Sequence, residues 1–361
     1  MAGKQDEKRK AAKPGKRREK RAEDAAPGKD PKGATPRKDA KGAKDPKPGK
    51  GTKDPKPGKD AKPGKDAKRG RPAKRPGADG SGARPLRELL RVTPGERPDL
   101  GSLDPSSTPG GPAGKAAGAE ATAALAQPLG ALQERLYAAS TAGDRRRLLL
   151  VLQGMDTSGK GGTLKHVIGL FNPSGCRIKA FKAPTAEELE HPFLWRIKRE
   201  LPRPGEIGIF DRSHYEDVLI ARVRALVPPH RVRTRYAQIN RFEKALAEDG
   251  VTVVKVFLHI GYEEQRTRLL QRLDDPDKHW KFNVGDIEER GAWPAYQEAY
   301  EVALERCSTD AAPWYVVPAN RKWYRNWAIS TLLREHLEEI DPQYPKGDFD
   351  VEECRRRLLE G

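Results

Sequence analysis

The sequence predicts an α/β fold: a three-layer α/β/α sandwich on a five-stranded parallel sheet, with a disordered basic tail in front. Three observations carry that expectation. Five short apolar segments follow one another from residue 148 onward, each of a length suited to a strand buried on both faces. Helical patterns lie between them, the alternation that gives parallel strands joined by crossover helices. Residues 1–84 differ so sharply in composition from the rest that they belong to another class of chain.

Residues 1–84 consist mainly of Lys, Ala, Pro, Gly and Asp. Lys-Asp-Pro-Lys-Pro-Gly-Lys stands at 44–50 and again at 53–59, followed by Asp-Ala-Lys-Pro-Gly-Lys at 60–65. Such a segment has too little to bury to offset the entropy of ordering it. Residues 1–80 hold 28 Lys and Arg against 12 Asp and Glu, whereas residues 81–361 hold 42 against 40. Nearly all of the net charge of +18 therefore sits in the tail, and the body is close to neutral. The tail reads equally as a solubilising extension or as a polycation that grips nucleic acid or polyphosphate.

Residues 85–126 form an arm and linker, Pro- and Gly-rich from Arg84 to Pro112, with a short amphipathic piece, Leu86–Val92, expected to lie on the body. Globular composition begins near Gln127. The folded domain is expected over 127–345, with 346–361 as a C-terminal extension. The expected strands are Leu148–Gln153, Ile178–Lys182, Glu206–Phe210, Thr252–Leu258 and Trp314–Pro318. Thr185 and Glu188 have capping-box spacing for a helix reaching about Glu200. Further helices are expected from Arg231 to before Gly250, over Tyr262–Leu273, Trp293–Arg306 and Trp323–Glu339. The three cysteines are far apart and form no zinc-ligand cluster. The start carries no apolar signal segment, and no apolar run approaches the length of a membrane-spanning helix. The expectation is a cytoplasmic protein.

The strongest chemical signal follows the first strand. Leu148–Gln153 runs into Gly154-Met-Asp-Thr-Ser-Gly-Lys-Gly-Gly-Thr163, and a helical pattern continues through Leu170. Strand, glycine loop, Gly-Lys and helix make the setting of a P-loop. Its backbone N–H groups, from Gly154, Thr157, Ser158, Gly159, Gly161, Gly162 and Thr163, converge on phosphate oxygens. Lys160 bridges the phosphates being separated. An ordinary P-loop places Ser or Thr after the Lys as a Mg²⁺ ligand; here that position is Gly161, so the metal role is expected to shift to Asp156. A second element, Gly208-Ile-Phe-Asp-Arg-Ser213, is an apolar strand ending in an acid, in the manner of a Walker-B segment. Asp211 is its metal-side carboxylate, and Arg212 is placed to neutralise the moving phosphoryl group. The fold expectation thus narrows to a P-loop kinase-like sandwich.

These motifs resemble the polyphosphate kinase 2 family from Arg87 to about Pro345. The resemblance rests on Val151–Thr163, on Phe-Lys-Ala-Pro-Thr at 181–185, and on Phe-Asp-Arg-Ser-His-Tyr-Glu-Asp-Val-Leu at 210–219. Asp-Lys-His-Trp-Lys-Phe-Asn at 277–283 and Ala-Pro-Trp-Tyr-Val-Val-Pro-Ala at 312–319 add to it. It implies a thymidylate-kinase-like core, Mg²⁺, and phosphoryl transfer between inorganic polyphosphate and nucleotides. Asp156, Lys160, Asp211 and Arg212 match the family's functional positions. Ser-His-Tyr-Glu-Asp-Val-Leu at 213–219 resembles the subgroup that phosphorylates AMP as well as ADP, with Glu216 and Asp217 on the nucleotide side. The charge-dense stretch about 266–292 reads as a lid that closes over phosphates, with Arg268, Arg272, Lys278, Lys281 and Arg290 facing them. Lys182 and Arg196 are placed along the polyphosphate path. Expected partners are polyphosphate, AMP, ADP, ATP, guanine nucleotides and a second copy of the chain. Two other readings stay open: an ATP-dependent nucleotide kinase on a similar core, and a polyanion-binding protein acting through its tail.

Overall fold

The computed structural model describes residues 84–361; the basic tail, but for its last residue, lies outside them. Five strands are present: β1 (Arg147–Gln153), β2 (Cys176–Ala180), β3 (Ile207–Asp211), β4 (Val251–His259) and β5 (Trp314–Pro318). All neighbours pair in parallel, in the order β2-β3-β1-β4-β5. The helices are α1 (Leu86–Leu90), α2 (Lys115–Ala124), α3 (Ala126–Thr141), α4 (Lys160–His166), α5 (Ala186–Leu189), α6 (Trp195–Lys198) and α7 (Ile220–Val223). They continue with α8 (Pro229–Glu248), α9 (Tyr262–Asp274), α10 (Gly285–Gly291), α11 (Trp293–Cys307), α12 (Lys322–Ile340) and α13 (Val351–Glu360). This is the α/β sandwich the sequence predicts.

The layers follow from the period-2 alternation of a strand. Leu149 and Val151 of β1 join a core with Val232, Ile239 and Phe242 of α8 and Tyr300 and Leu304 of α11. Leu148, Leu150 and Leu152 face the opposite way, toward Leu129, Leu132 and Leu136 of α3 and Leu332, Leu333 and Leu337 of α12. Every residue of β1 is buried, and the central run Leu148–Leu152 is wholly apolar, as burial on both faces requires. The register pairs Leu152 with Asp211. The loops leaving the carboxyl ends of β1 and β3 therefore emerge side by side, where an open parallel sheet binds ligands.

Several expected elements are corrected. The second strand begins and ends earlier than Ile178–Lys182, because its pairing with β3 ends at Ala180↔Asp211 and Phe181 then turns into the core. The capping box at Thr185 and Glu188 forms, but the helix stops at Leu189 and resumes only at Trp195. Pro192 lies in the gap; it lacks an N–H and clashes with the preceding turn. The helix after the P-loop ends at His166 and gives way to a 3-10 turn, Ile168–Leu170.

The arm does lie on the body. Leu86 and Arg87 donate backbone N–H bonds to Glu335 of α12 at 2.9 Å each, and Val92 donates to the Trp314 carbonyl. The Ala-rich α2 packs on α12, with Gly118 so close to Trp323 that a Cβ would overlap the indole. No helix among the described residues is long and apolar enough to cross a membrane.

Candidate active site

The glycine loop between β1 and α4 turns through backbone conformations that glycine tolerates, with φ +153° at Gly154 and +111° at Gly159. Thr157 is held at φ +62°, a left-handed conformation costly for a branched residue. Within the loop the hydroxyls of Thr157 and Ser158 are buried and have no hydrogen-bond partner among the described residues. Orphaned buried hydroxyls are costly unless a ligand completes them, and here they fit phosphate oxygens. Lys160 folds back so that its Nζ donates to the Gly154 carbonyl at 2.7 Å. Gly161 leaves open space where a Cβ would point, and the Thr163 hydroxyl turns back to the Gly159 carbonyl.

One buried arginine holds this loop in place. Arg268 of α9 is 6% exposed. Its Nη1 donates to the Thr157 and Ser158 carbonyls, its Nη2 to those of Ala319 and Asn320, and its Nε to Glu264. Expected in the lid facing phosphates, Arg268 instead ties the P-loop backbone to the loop after β5.

Beside the loop, Arg212 has φ +63° and lies 3.4 Å from Asp156. Burial acts to lower its pKa, but Glu216, Asp156 and Asp211 together hold it above the usual value. Burial pushes the Glu216 carboxyl up, against the pull of Arg212 and Lys160. Asp156, Lys160, Asp211, Arg212 and Glu216 thus share one field. A cleft of about 270 Å³ is lined by Asp156, Arg212 and Glu216 of this group, together with Asp286, Tyr296 and Tyr300; Lys160 and Asp211 lie outside its lining.

Asp217 points elsewhere. Its carboxylate lies 3.2 Å from Arg235 and 3.9 Å from Arg196, on a separate cavity of about 1100 Å³ between α8 and the 184–201 segment. Burial raises its pKa, opposed by Arg235 and Arg196. Arg196 is itself buried, donating to the Lys182 carbonyl at 2.9 Å and to Glu188 at 3.4 Å, while the Lys182 side chain is exposed.

The other cations expected in the lid are engaged by neighbouring groups of the protein. Arg272 donates to the Lys281 carbonyl and to Asp286, Lys278 pairs with Asp275 at 2.6 Å, and Lys281 lies over the Trp280 ring. Trp280 is 78% exposed. Arg290 stacks on Tyr262 and donates to the Tyr262 carbonyl.

Beneath the site lies a fully buried network. Lys255 of β4 donates to Glu243 at 2.6 Å, to the Tyr215 hydroxyl at 2.8 Å and to the Cys307 carbonyl at 2.6 Å. Glu243 also accepts from Tyr215 and bonds His214. Burial would raise the Glu243 pKa, but Lys255 and His214 outweigh it and hold it low. These bonds fix the 3-10 turn His214–Asp217, so that residues 214 and 215 anchor in the core while Arg212 and Glu216 reach the cleft. Sequence reasoning missed Tyr296, Tyr300 and Asp286. A signal existed for the first two: Tyr296 and Tyr300 have i,i+4 spacing, which puts them on one face of a helix.

The family model described as polyphosphate kinase 2 matches residues 113–345. An AMP/ADP-polyphosphate phosphotransferase of Meiothermus ruber is 50% identical over 258 residues, covering 72% of this chain and 95% of that protein. An ADP-polyphosphate phosphotransferase of Rhodopseudomonas palustris is 41% identical over 227 residues, covering 60% and 77%. The crystal structure of polyphosphate kinase 2 from Arthrobacter aurescens TC1 superimposes with a TM-score of 0.75 at 49% identity, covering 77% of this chain and 98% of that one. With its P-loop, its acidic β3 terminus and a family match over most of the folded region, the chain belongs to the polyphosphate kinase 2 family.

Proposed function

We infer that this protein transfers a phosphoryl group between inorganic polyphosphate and a nucleotide, with AMP and ADP as acceptors. The observation that carries the reading is the convergence on one cleft of a P-loop with unsatisfied hydroxyls and an Asp156–Arg212–Glu216 cluster. Relatives named for AMP/ADP and ADP phosphotransfer from polyphosphate support the acceptor class.

Phosphoryl transfer depends on positioning and charge neutralisation rather than on covalent work by the protein. Lys160, released from the Gly154 carbonyl, bridges the phosphates being separated. Arg212 lies beside Asp156 and balances charge on the equatorial oxygens. The attacking nucleotide phosphate is already ionised near neutral pH, so a strong general base is unnecessary. The oxygen-only donor set of Asp156, Asp211 and Glu216 fits Mg²⁺, a hard ion held by one or two carboxylates together with substrate phosphates. Among the described residues no three such groups form a ready cage, so substrate phosphates and water would have to complete the ion's shell. Asp156 and Asp211 would hold the ion, and it would neutralise charge shared by donor and acceptor. Three free cysteines accord with a reducing, cytoplasmic setting.

The test is to incubate the protein with Mg²⁺, long-chain polyphosphate and either AMP or ADP, and to separate the nucleotides by chromatography. ADP and ATP should appear, chelation should stop the reaction, and Glu216→Ala should change the ratio of AMP to ADP turnover. A wild type inert toward both acceptors overturns the reading.

A further inference from the structure

Arg325, near the start of α12, lies outside every motif read from the sequence and is only 2% exposed. Its guanidinium lies directly against the phosphate loop. A Cβ on Gly159 would collide with its Nη1, and one on Gly162 would come within 2.6 Å of its Nη2. Glycine at these two loop positions leaves the room that Arg325 fills, whereas Gly161 between them meets nothing.

A buried guanidinium normally has an acid beside it. Arg325 does not. Its Nε and Nη2 both donate to the neutral amide oxygen of its neighbour Asn326, at 3.2 and 2.8 Å. Its Nη1 donates to no acceptor among the described residues. Burial and the positive charge of Arg268 lower its pKa to about 10, and no carboxylate opposes them. The contrast with Arg268, also buried against the loop, is direct: that charge is answered by Glu264 at 2.8 Å and four carbonyls. Two arginines flank the loop, then, and only one has its counter-charge among the described residues. On the same loop the Thr157 and Ser158 hydroxyls also lack partners. Cation and hydroxyls are completed together by one kind of ligand, a phosphate group seated in the loop.

We propose that Arg325 is a fixed phosphate-binding charge of the P-loop, whose counter-ion is the bound phosphate chain, and that the ligand-free protein is destabilised by keeping this charge unpaired. The inference rests on the phosphotransfer reading of the same site and adds to it a residue that no motif marks. It also gives a reason for glycine at both 159 and 162, where a larger residue would displace the guanidinium.

The sign of the stability effect separates this from a packing role. A structural arginine stabilises the protein whether or not ligand is present. An unpaired buried charge is costly, and replacing it by an apolar side chain of similar length relieves that cost. The experiment measures melting temperature without ligand, and the affinity for inorganic tripolyphosphate by calorimetry, for wild type, Arg325→Met and Arg325→Lys in the full chain. Arg325→Met should melt at or above wild type without ligand and bind tripolyphosphate about ten- to a hundredfold more weakly, the range for a lost bond to a charged group. Arg325→Lys should recover part of the affinity. A lower ligand-free melting temperature for Arg325→Met, or an unchanged affinity, overturns the inference while leaving the functional reading intact. A wild type that does not bind tripolyphosphate overturns both.

Discussion

Replacing Arg268 by Lys keeps a positive charge in the lid but removes the planar fork that grips the P-loop. The structure gives Arg268 four backbone acceptors, on Thr157, Ser158, Ala319 and Asn320, and one carboxylate, Glu264. A lysine has three donors on a single atom and cannot reach two separate loops at once. At least two carbonyls then lose their donor, each at about 1–3 kcal/mol when buried. A total loss of about 3–5 kcal/mol is also the range for breaking a buried charge pair. For a folded body of this size that lowers the melting temperature by roughly 5–9 °C. The loop should also lose its fixed geometry, so KM for polyphosphate should rise. Thermal denaturation followed by circular dichroism, with steady-state kinetics on the same preparation, reads both effects. If Arg268 were a lid charge facing phosphates, Arg268→Lys would keep both its melting temperature and its KM. That result would refute the clamp.

Lys160→Ala should lower kcat by about 10²–10³-fold with the melting temperature unchanged, as expected for loss of one preorganised partner of transition-state charge; near-normal turnover in a folded variant removes the P-loop assignment. Lys255→Met alone should cost about 3–5 kcal/mol, because Glu243 stays buried with only its His214 and Tyr215 bonds and without the lysine charge, whereas Lys255→Met with Glu243→Gln should regain most of it in chemical denaturation. His336 is held neutral by burial, its pKa lowered to about 4, with the Tyr315 hydroxyl beside it. Between about pH 6.5 and 4 the unfolded chain binds more protons at this site, so stability falls as pH drops through that window, by at most about 3 kcal/mol. His336→Asn should flatten the melting-temperature profile there and leave it unchanged above about pH 7.

The parts of the site legible in the sequence were those encoded by short spacing. A strand, a glycine loop and a lysine are contiguous, and Asp211-Arg212 closes a strand, so their chemistry can be read within a few residues. Arg325 could not be read that way. It lies far along the chain from the loop it touches, and nothing in α12 distinguishes it from a surface arginine. Lys255 was hidden for the opposite reason. It interrupts an apolar strand that the other residues already define, and its partners come from α8 and the turn after β3. The pair Glu216 and Asp217 shows the limit of adjacency. Neighbours in a 3-10 turn point about 120° apart, and they serve different cavities. Pro192 was visible, but the capping box before it is a signal for starting a helix and carries no information about its length.

The central claim concerns the phosphoryl donor. The direct measurement offers one preparation AMP as acceptor with Mg²⁺ and, in parallel, long-chain polyphosphate or ATP as donor at equal phosphoanhydride concentration, then follows the appearance of ADP. The donors are next mixed, with ATP carrying a γ-phosphate isotope label. The account predicts rapid ADP formation with polyphosphate alone, and ADP from the mixture that is almost free of label. Rapid transfer from ATP with none from polyphosphate, and label in about half of the ADP from the mixed reaction, the unlabelled half being the spent donor, would contradict it.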